Sequence, residues 1–352
     1  TRSLSIVLGT PIIGICAVSY DLRAASTTDR RHEHLQAAID LSQAKVSGTV
    51  RLTGTGNFRL NGTAGSDLAS FDLGTRTLSA RNGGTYKLGS LTGAAGSALS
   101  IASYTSGVTF SIGASNQSSA FPGVISNGSG TTSVIKAGTG TLTLSGASTY
   151  SGSTSVNAGE LSVTGSLGGT AVTVASGATL SGTGSIGGAV SVSGSLAPGP
   201  AAGTLSVASL QINPSGALIM DVAPSGDKIN VTGNLTLAGS LQVSVASGVS
   251  FGRFPLLAHG GSRTGSISLS GVPSGTQAHL AYGANEVVLF IDDQDEDGLP
   301  DTWEQQNFDG LAQTAGSDYD GDGSADLVEY RLGLDPKNGN SAFRAVCSGH
   351  TL

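Results

Sequence analysis

Charge is scarce in this 352-residue chain. Asp, Glu, Lys and Arg make up 12% of it, about half the ~25% of an ordinary globular domain. Aromatics are at 5%, with one Trp and one Met. The net charge is −7 and no Lys/Arg cluster is interleaved with aromatics, so there is no electrostatic footprint for nucleic acid. The two cysteines, Cys16 and Cys347, lie at opposite ends. They read as separate thiols and not as a disulfide scaffold, which leaves a secreted protein open. Long apolar runs are missing too. Ser5–Val18 is apolar but broken by Pro11, and a membrane-spanning helix needs about 18 or more such residues. It reads as buried strands at a cut edge, with a signal-peptide core as the alternative.

What is abundant is Gly, 54 residues, together with Ser and Thr. Such a composition also suits flexible linkers. A hydrophobic fraction of 38% and a mean hydropathy of +0.12 are too apolar for a solvated coil, and the pattern is periodic. Residues 29–44 read as one helix, with Asp29 as its cap and Leu35, Ala38 and Ile39 as an apolar stripe. His32 and His34 are two apart, on different faces of that helix, and cannot chelate one metal together.

From Val46 to Ile291 short alternating runs recur between Gly-rich turns: 141–144, 160–163, 171–174, 189–192 and 205–207. Period-two alternation puts small aliphatics on one face and Ser/Thr on the other. The runs around Val174, Val192 and Leu210 return at steps of about eighteen residues, the mark of a solenoid. Gly and Asn are expected at corners that need positive φ. A thin interior of Val, Leu, Ile and Ala explains the lack of aromatics.

Residues 137–163 run Ala-Gly-Thr-Gly-Thr-Leu-Thr-Leu-Ser-Gly-Ala-Ser-Thr-Tyr-Ser-Gly-Ser-Thr-Ser-Val-Asn-Ala-Gly-Glu-Leu-Ser-Val. This stretch resembles the autotransporter-associated β-strand repeat, in its Gly-x-Gly-Thr-Leu-x-Leu-x-Gly opening, its Tyr150-x-Gly152 turn and its closing Gly-x-Leu. The resemblance extends over about residues 70–291. It implies an all-β fold, a right-handed parallel β-helix, in a secreted or cell-surface bacterial protein: a stalk, an adhesin, or the passenger of an attached enzyme.

Fourteen of the 24 acidic residues fall between Asp292 and Asp335, with Arg331 as the one basic residue among them. That window carries −13 and the rest of the chain +6. A calcium loop takes oxygen ligands at positions 1, 3, 5, 7, 9 and 12, with Gly at 6. The first loop offers Asp293, Asp295, Asp297, the Leu299 carbonyl, Asp301 and Glu304 around Gly298. The second offers Asp318, Asp320, Asp322, the Ser324 carbonyl, Asp326 and Glu329 around Gly323. Two ions are expected. A helix should follow each loop, over 301–308 and 326–332, with Trp303, Phe308, Leu327, Val328, Tyr330 and Leu332 as a small shared core. No helix precedes Asp293, so this is EF-hand-like but not an EF-hand. The segment is similar to thrombospondin type 3 and dockerin-like calcium repeats. Position 8 is Pro300 in one loop and Ala325 in the other. Proline cannot donate a β bridge between loops.

Catalytic residues are hard to find. From Ala137 to Gly252 the charged residues are Glu160, Asp221, Asp227 and Lys228, without any His. Asp227 and Lys228 read as solvent-facing beside a Gly turn. Further upstream, Arg51, Asn57, Arg59, Asp67, Asp72, Arg76, Arg81 and Lys87 read as solvated strand faces. In the repeat, Tyr150 is the one candidate platform for a sugar, weighed against packing at a coil corner. The expected organisation is a remnant over 1–46, a solenoid over 47–291, a double calcium loop over 292–340 and the start of a further segment over 341–352. The expected role is a non-catalytic spacer with a calcium-rigidified linker. The alternatives are a polysaccharide-binding adhesin or a fragment attached to a β-helix carbohydrate-active enzyme; the expected partners are calcium and an extracellular polysaccharide or another surface protein.

Overall fold

A computed structural model describes residues 18–24, 48–54, 58–60, 66–80, 83–101, 107–199 and 202–341. The expected helix over 29–44, both cysteines and the segment after 341 lie outside these residues, as does the apolar run 5–17.

The described chain winds as a parallel β-solenoid of about eight turns, with two short helices after it. A full coil is three short strands. Thr132–Lys136, Thr141–Leu144 and Ala147–Ser148 form one coil; Thr154–Val156, Glu160–Val163 and Ser166–Leu167 form the next. Equivalent strands pair in parallel and in register: Val134 with Thr154 and Thr154 with Val172 on one side, Thr141 with Glu160 and Glu160 with Thr179 on the second, Ala147 with Ser166 on the third. The ladder reaches back beyond residue 47, because Val18–Ala24 pairs in parallel with Gly48–Gly54.

The step is eighteen residues where Val156 pairs with Val174 and Val174 with Val192. It then lengthens. Val192 pairs with Ile212 and not with Leu210, and Ile212 pairs with Leu237. The first increase goes with a longer corner, six residues between Ser195–Ala197 and Thr204–Ile212 against three between Thr179–Ser181 and Ser185–Val192; the second goes with a second-side strand of six residues, Ala217–Val222.

Alternation places one residue in two inside. Val156, Val174, Val192, Leu161, Leu180 and Leu196 are at most 2% exposed. Each such side chain contributes roughly 1.5–3 kcal/mol relative to exposure. One inward position is a lysine. Lys136 lies in the column between Ile112 and Val156 and is fully buried. Its Nζ donates to the carbonyls of Ala137 (2.7 Å), Gly138 (2.8 Å) and Ala158 (3.0 Å). Burial lowers its pKa, and the charge of Glu160 acts in the opposite direction. The ammonium thus ties two coils together at a corner, where backbone acceptors would otherwise be buried without donors.

Glycine has two uses at the corners. Gly138 and Gly159, at φ +66° and +61°, and Asn116, at +62°, take the left-handed conformation that the sequence suggests. A second set is needed for space. Gly146, Gly165 and Gly184 stack in one column, where an added Cβ would stand 2.0, 2.4 and 2.1 Å from the carbonyl oxygens of Gly123, Gly146 and Gly165. Ser185 N–H donates to Gly165 O at 3.0 Å, so the coils cannot separate without losing the ladder. Gly165→Ala is expected to destabilise by about 1–3 kcal/mol, the cost of overpacking, as read by urea unfolding. Gly169→Ala, where a Cβ meets nothing within 4 Å, is the near-neutral control.

The ladder ends on antiparallel strands. Gly252–His259 pairs in parallel with Lys228–Val231 on one edge and antiparallel with Glu286–Ile291 on the other. Ala278–Tyr282 then pairs antiparallel with Glu286–Ile291. From Ile291 the chain passes directly into the acidic segment. Among the described residues no helix is long and apolar enough to cross a membrane.

Candidate metal centre

Two helices punctuate the acidic segment: α1, Asp301–Phe308, and α2, Asp326–Leu332. Each begins on the ninth position of a twelve-residue loop, 293–304 or 318–329. Pro300 and Ala325 precede the helices in extended conformation. The Pro300 carbonyl accepts from Trp303 and Glu304 N–H, and the Ala325 carbonyl accepts from Val328 and Glu329 N–H. Proline is tolerated here because a residue at this position lends its carbonyl and not its N–H.

The two loops share their turns and three hydrogen bonds, and the second adds bonds from Gly321 and Asp322 N–H to Asp318 and Asp320. At the sixth position Gly298 and Gly323 take φ +94° and +92°; at the fourth, Glu296 and Gly321 take +62° and +75°. The fifth-position carboxylate accepts from the seventh-position N–H at 2.8 Å in both, Asp297 from Leu299 and Asp322 from Ser324. The ninth-position carboxylate reaches back to the second-position N–H, Asp301 to Gln294 at 2.9 Å and Asp326 to Tyr319 at 3.1 Å. The first-position carboxylate accepts from the glycine N–H, Asp293 from Gly298 and Asp318 from Gly323. In Asp297, Asp301, Asp322 and Asp326 these bonds use Oδ1 and leave Oδ2 buried without a partner, while Asp318 accepts on both oxygens.

Carboxylate oxygens of Asp293, Asp295 and Asp297 lie within 4.8 Å of one another, as do those of Asp295, Asp301 and Glu304, and those of Asp318, Asp320 and Asp322. Asp295 belongs to both first-loop groups, so the five carboxylates at the expected ligand positions, all but Glu296, are drawn together. In the second loop Asp326 and Glu329 stand outside that tight group, yet the charges of Asp318, Asp320, Asp322 and Asp326 all act on Glu329. Leu299 and Ser324, expected to offer carbonyls, are both buried.

The unpartnered oxygens carry the most information. Asp301 is 2% exposed, and Glu304, Asp326 and Glu329 are 0% exposed. Asp297, Asp301, Asp320, Asp322 and Asp326 each leave one buried Oδ2 without a hydrogen bond, and Glu304 and Glu329 leave both carboxylate oxygens so. A buried polar atom without a partner costs on the order of 1–3 kcal/mol, more when charged. Nine such oxygens fall on the expected ligand positions of two loops. An all-oxygen, multiply anionic set with a two-oxygen glutamate at position twelve suits a hard cation such as Ca2+. The residues present fit that ion.

The same crowding raises carboxyl pKa values. Burial, then the charges of Asp297, Asp295 and Asp301, push Glu304 up to about 7; the amide of Gln313 nearby pulls the other way. Burial and the four aspartates of its loop push Glu329 up to about 7. A carboxyl raised from 4.5 in the unfolded chain binds its proton more tightly when folded. In metal-free protein its stabilising contribution is therefore present at low pH. It is lost as pH rises from about 4.5 through about 7. In EGTA the module is expected to melt at a lower temperature at pH 8 than at pH 5.5, with calcium reversing that order. Trp303, the sole tryptophan, reports it by fluorescence. Equal EGTA melts at the two pH values would contradict the crowding.

Around the loops, aromatic rings form a chain. Trp303 meets Phe308 and Tyr330 at 5.4 and 5.7 Å, and Phe308 meets Tyr319 at 4.8 Å. Val328 and Leu332, expected in this core, are 40% and 50% exposed. Both lie on the outer side of α2, because the turn is set by burying Asp326 and Glu329. No strand ladder joins the two loops among the described residues. Sequence reading passed over Asp292, which takes φ +51° and caps α1: its carboxylate accepts from Thr302 N–H and Oγ1. The Asp292-Asp293 doublet was the available signal, obscured by the ligand pattern beginning at Asp293.

Elsewhere the candidates resolve into structure. Tyr150 is fully buried and packs at a coil corner, unavailable as a sugar platform. Asp227, expected to face solvent, is 2% exposed and accepts from Gly203 and Asp221 N–H, fixing a wide corner. Lys228 is exposed. Glu160 accepts from the hydroxyls of Thr141 and Ser181 on neighbouring coils. Arg51 pairs with Asp72 at 2.9 Å on an exposed strand face. No curated protein matches the chain. The family model of the Passenger-associated-transport-repeat matches residues 134–163, the coil and a half that carries Lys136, Tyr150 and Glu160.

Proposed function

We propose that this chain is a non-catalytic stalk of a secreted or cell-surface bacterial protein, ended by two calcium-closed loops that make its exit stiff. A passenger-type repeat within a parallel β-solenoid is consistent with a structural passenger stalk. The observation that carries the calcium part is the buried, unpartnered oxygens of Glu304 and Glu329, repeated at one spacing in loops of matching geometry. Without a cation these carboxylates repel one another; with one, each loop closes on a common centre. The ligands are Asp293, Asp295, Asp297, the Leu299 carbonyl, Asp301 and Glu304 for one ion, and Asp318, Asp320, Asp322, the Ser324 carbonyl, Asp326 and Glu329 for the other.

Millimolar extracellular calcium keeps both loops filled, and its withdrawal loosens them. The direct check is Trp303 emission of the full chain in EGTA and in calcium chloride. Added calcium is expected to shift it to the blue as the ring is held against Phe308 and Tyr330. Emission indifferent to calcium up to about 10 mM, weaker than extracellular calcium modules, would sink the proposal. The adhesin reading has lost its one aromatic platform in the repeat, since Tyr150 is interior.

A further inference from the structure

We infer that calcium in the two loops also locks the closing end of the solenoid, so that the acidic module is a metal-dependent cap on the last strands. The inference rests on the calcium reading above and adds a coupling to it.

Three contacts join the loops to the terminal strands. Asp292 is the first. Its N–H donates to Gln277 O at 2.8 Å, just before strand Ala278–Tyr282, and its carbonyl accepts from Asp301 N–H at 3.0 Å. One residue thus bonds to the solenoid and to the backbone of the ninth-position ligand. The second is Tyr330, whose ring meets Phe251 edge-on at 5.9 Å. Phe251 immediately precedes strand Gly252–His259. The third is His279, stacked on Phe290 at 5.2 Å, with Nε2 3.1 Å from the Glu296 carboxylate at the fourth position of the first loop.

The connection to the metal is by sequence neighbours. The twelfth-position ligand of the first loop, Glu304, follows Trp303; that of the second, Glu329, precedes Tyr330. Trp303 and Tyr330 touch each other, and Tyr330 touches Phe251. Fixing both glutamates therefore fixes one aromatic chain from the metal centres to the solenoid edge. The edge needs this. A solenoid coil is stabilised by its neighbours on both sides, and a terminal coil has only one. Among the described residues Ala278–Tyr282 has a strand partner on one side alone, Glu286–Ile291. Such an end opens at a lower free energy than the interior, and a ligand that binds the closed form protects it by mass action.

The test is hydrogen exchange of the full chain, in calcium chloride and in EGTA, with calcium binding measured separately by calorimetry. Calcium is expected to slow exchange in 252–259, 278–282 and 286–291 by about tenfold or more, and to leave 134–192 unchanged. Tyr330→Ala and Phe251→Ala keep every ligand, so each should still bind calcium while losing most of that protection. Wild type that binds calcium with no change at 252–291 would overturn the coupling and leave the binding reading intact. So would full protection in both variants. No calcium binding at all would overturn the reading beneath it.

Discussion

Glu304→Gln combined with Glu329→Gln is expected to abolish calcium binding at millimolar concentration while the solenoid stays folded. Either change alone should weaken its own loop by about one to two orders of magnitude, because charge count and the bidentate twelfth ligand set affinity in such loops. The direction for the metal-free protein is opposite. Burial, and after it the charges of neighbouring carboxylates, raise the pKa values of Glu304 and Glu329 to about 7. Neutral amides of the same shape relieve that repulsion. The double variant in EGTA should therefore melt at or above the wild type at pH 8, and calcium should no longer raise its melting temperature. A purely structural loss would lower stability in both conditions, so the two buffers separate the explanations.

Tyr150→Ala should destabilise the solenoid by about 3–5 kcal/mol, the cost of removing a fully buried ring. The ring is 0% exposed, in a core of Val, Leu and Ile that also takes in Phe71, Tyr86, Phe110 and Phe121. Its hydroxyl begins a buried chain: Tyr150 to Thr154 at 2.7 Å, Thr154 to Thr170 at 2.8 Å, and Thr170 Oγ1 donating to Gly152 O at 2.5 Å. Burial pushes the phenol up to about 12. Tyr150→Phe keeps the ring and breaks one bond, so it should cost only about 1 kcal/mol. Solenoid stability is a sum over neighbouring coils. Limited proteolysis of Tyr150→Ala should therefore cut first within 132–170, and the acidic loops far down the chain should be unaffected. Equal losses for Phe and Ala would mean that the ring is not filling space.

Much of this was legible beforehand. Period-two runs such as Leu142/Leu144 and Leu161/Val163 mark both the strands and their inward faces, because strand alternation is a purely local rule. The acidic loops were equally readable. Ligand spacing fixes Gly298 and Gly323, and the helices begin at Asp301 and Asp326 as the spacing required. What could not be read depends on which coil lies above which. The glycine column of Gly146, Gly165 and Gly184 exists only once the coils are stacked, and no single turn type reveals it. The shift of Leu210 out of the Val192 column has the same origin: corner length sets the register, and corner length varies. Lys136 is inside by simple alternation with Thr132 and Val134, but its charge hides it in the sequence, and the backbone N–H groups that Asp227 accepts from come together only at the folded corner. Phe251 against Tyr330 joins residues far apart in sequence and had no local signature.

We propose that the two loops are metal sites built by buried carboxylates. Calorimetric titration of the EGTA-stripped full chain with calcium chloride tests it most directly. About two ions are expected to bind at submillimolar to millimolar concentration, falling to about one in Glu329→Gln and to none in the double variant. No saturable binding up to about 10 mM, or unchanged stoichiometry in the double variant, would contradict it.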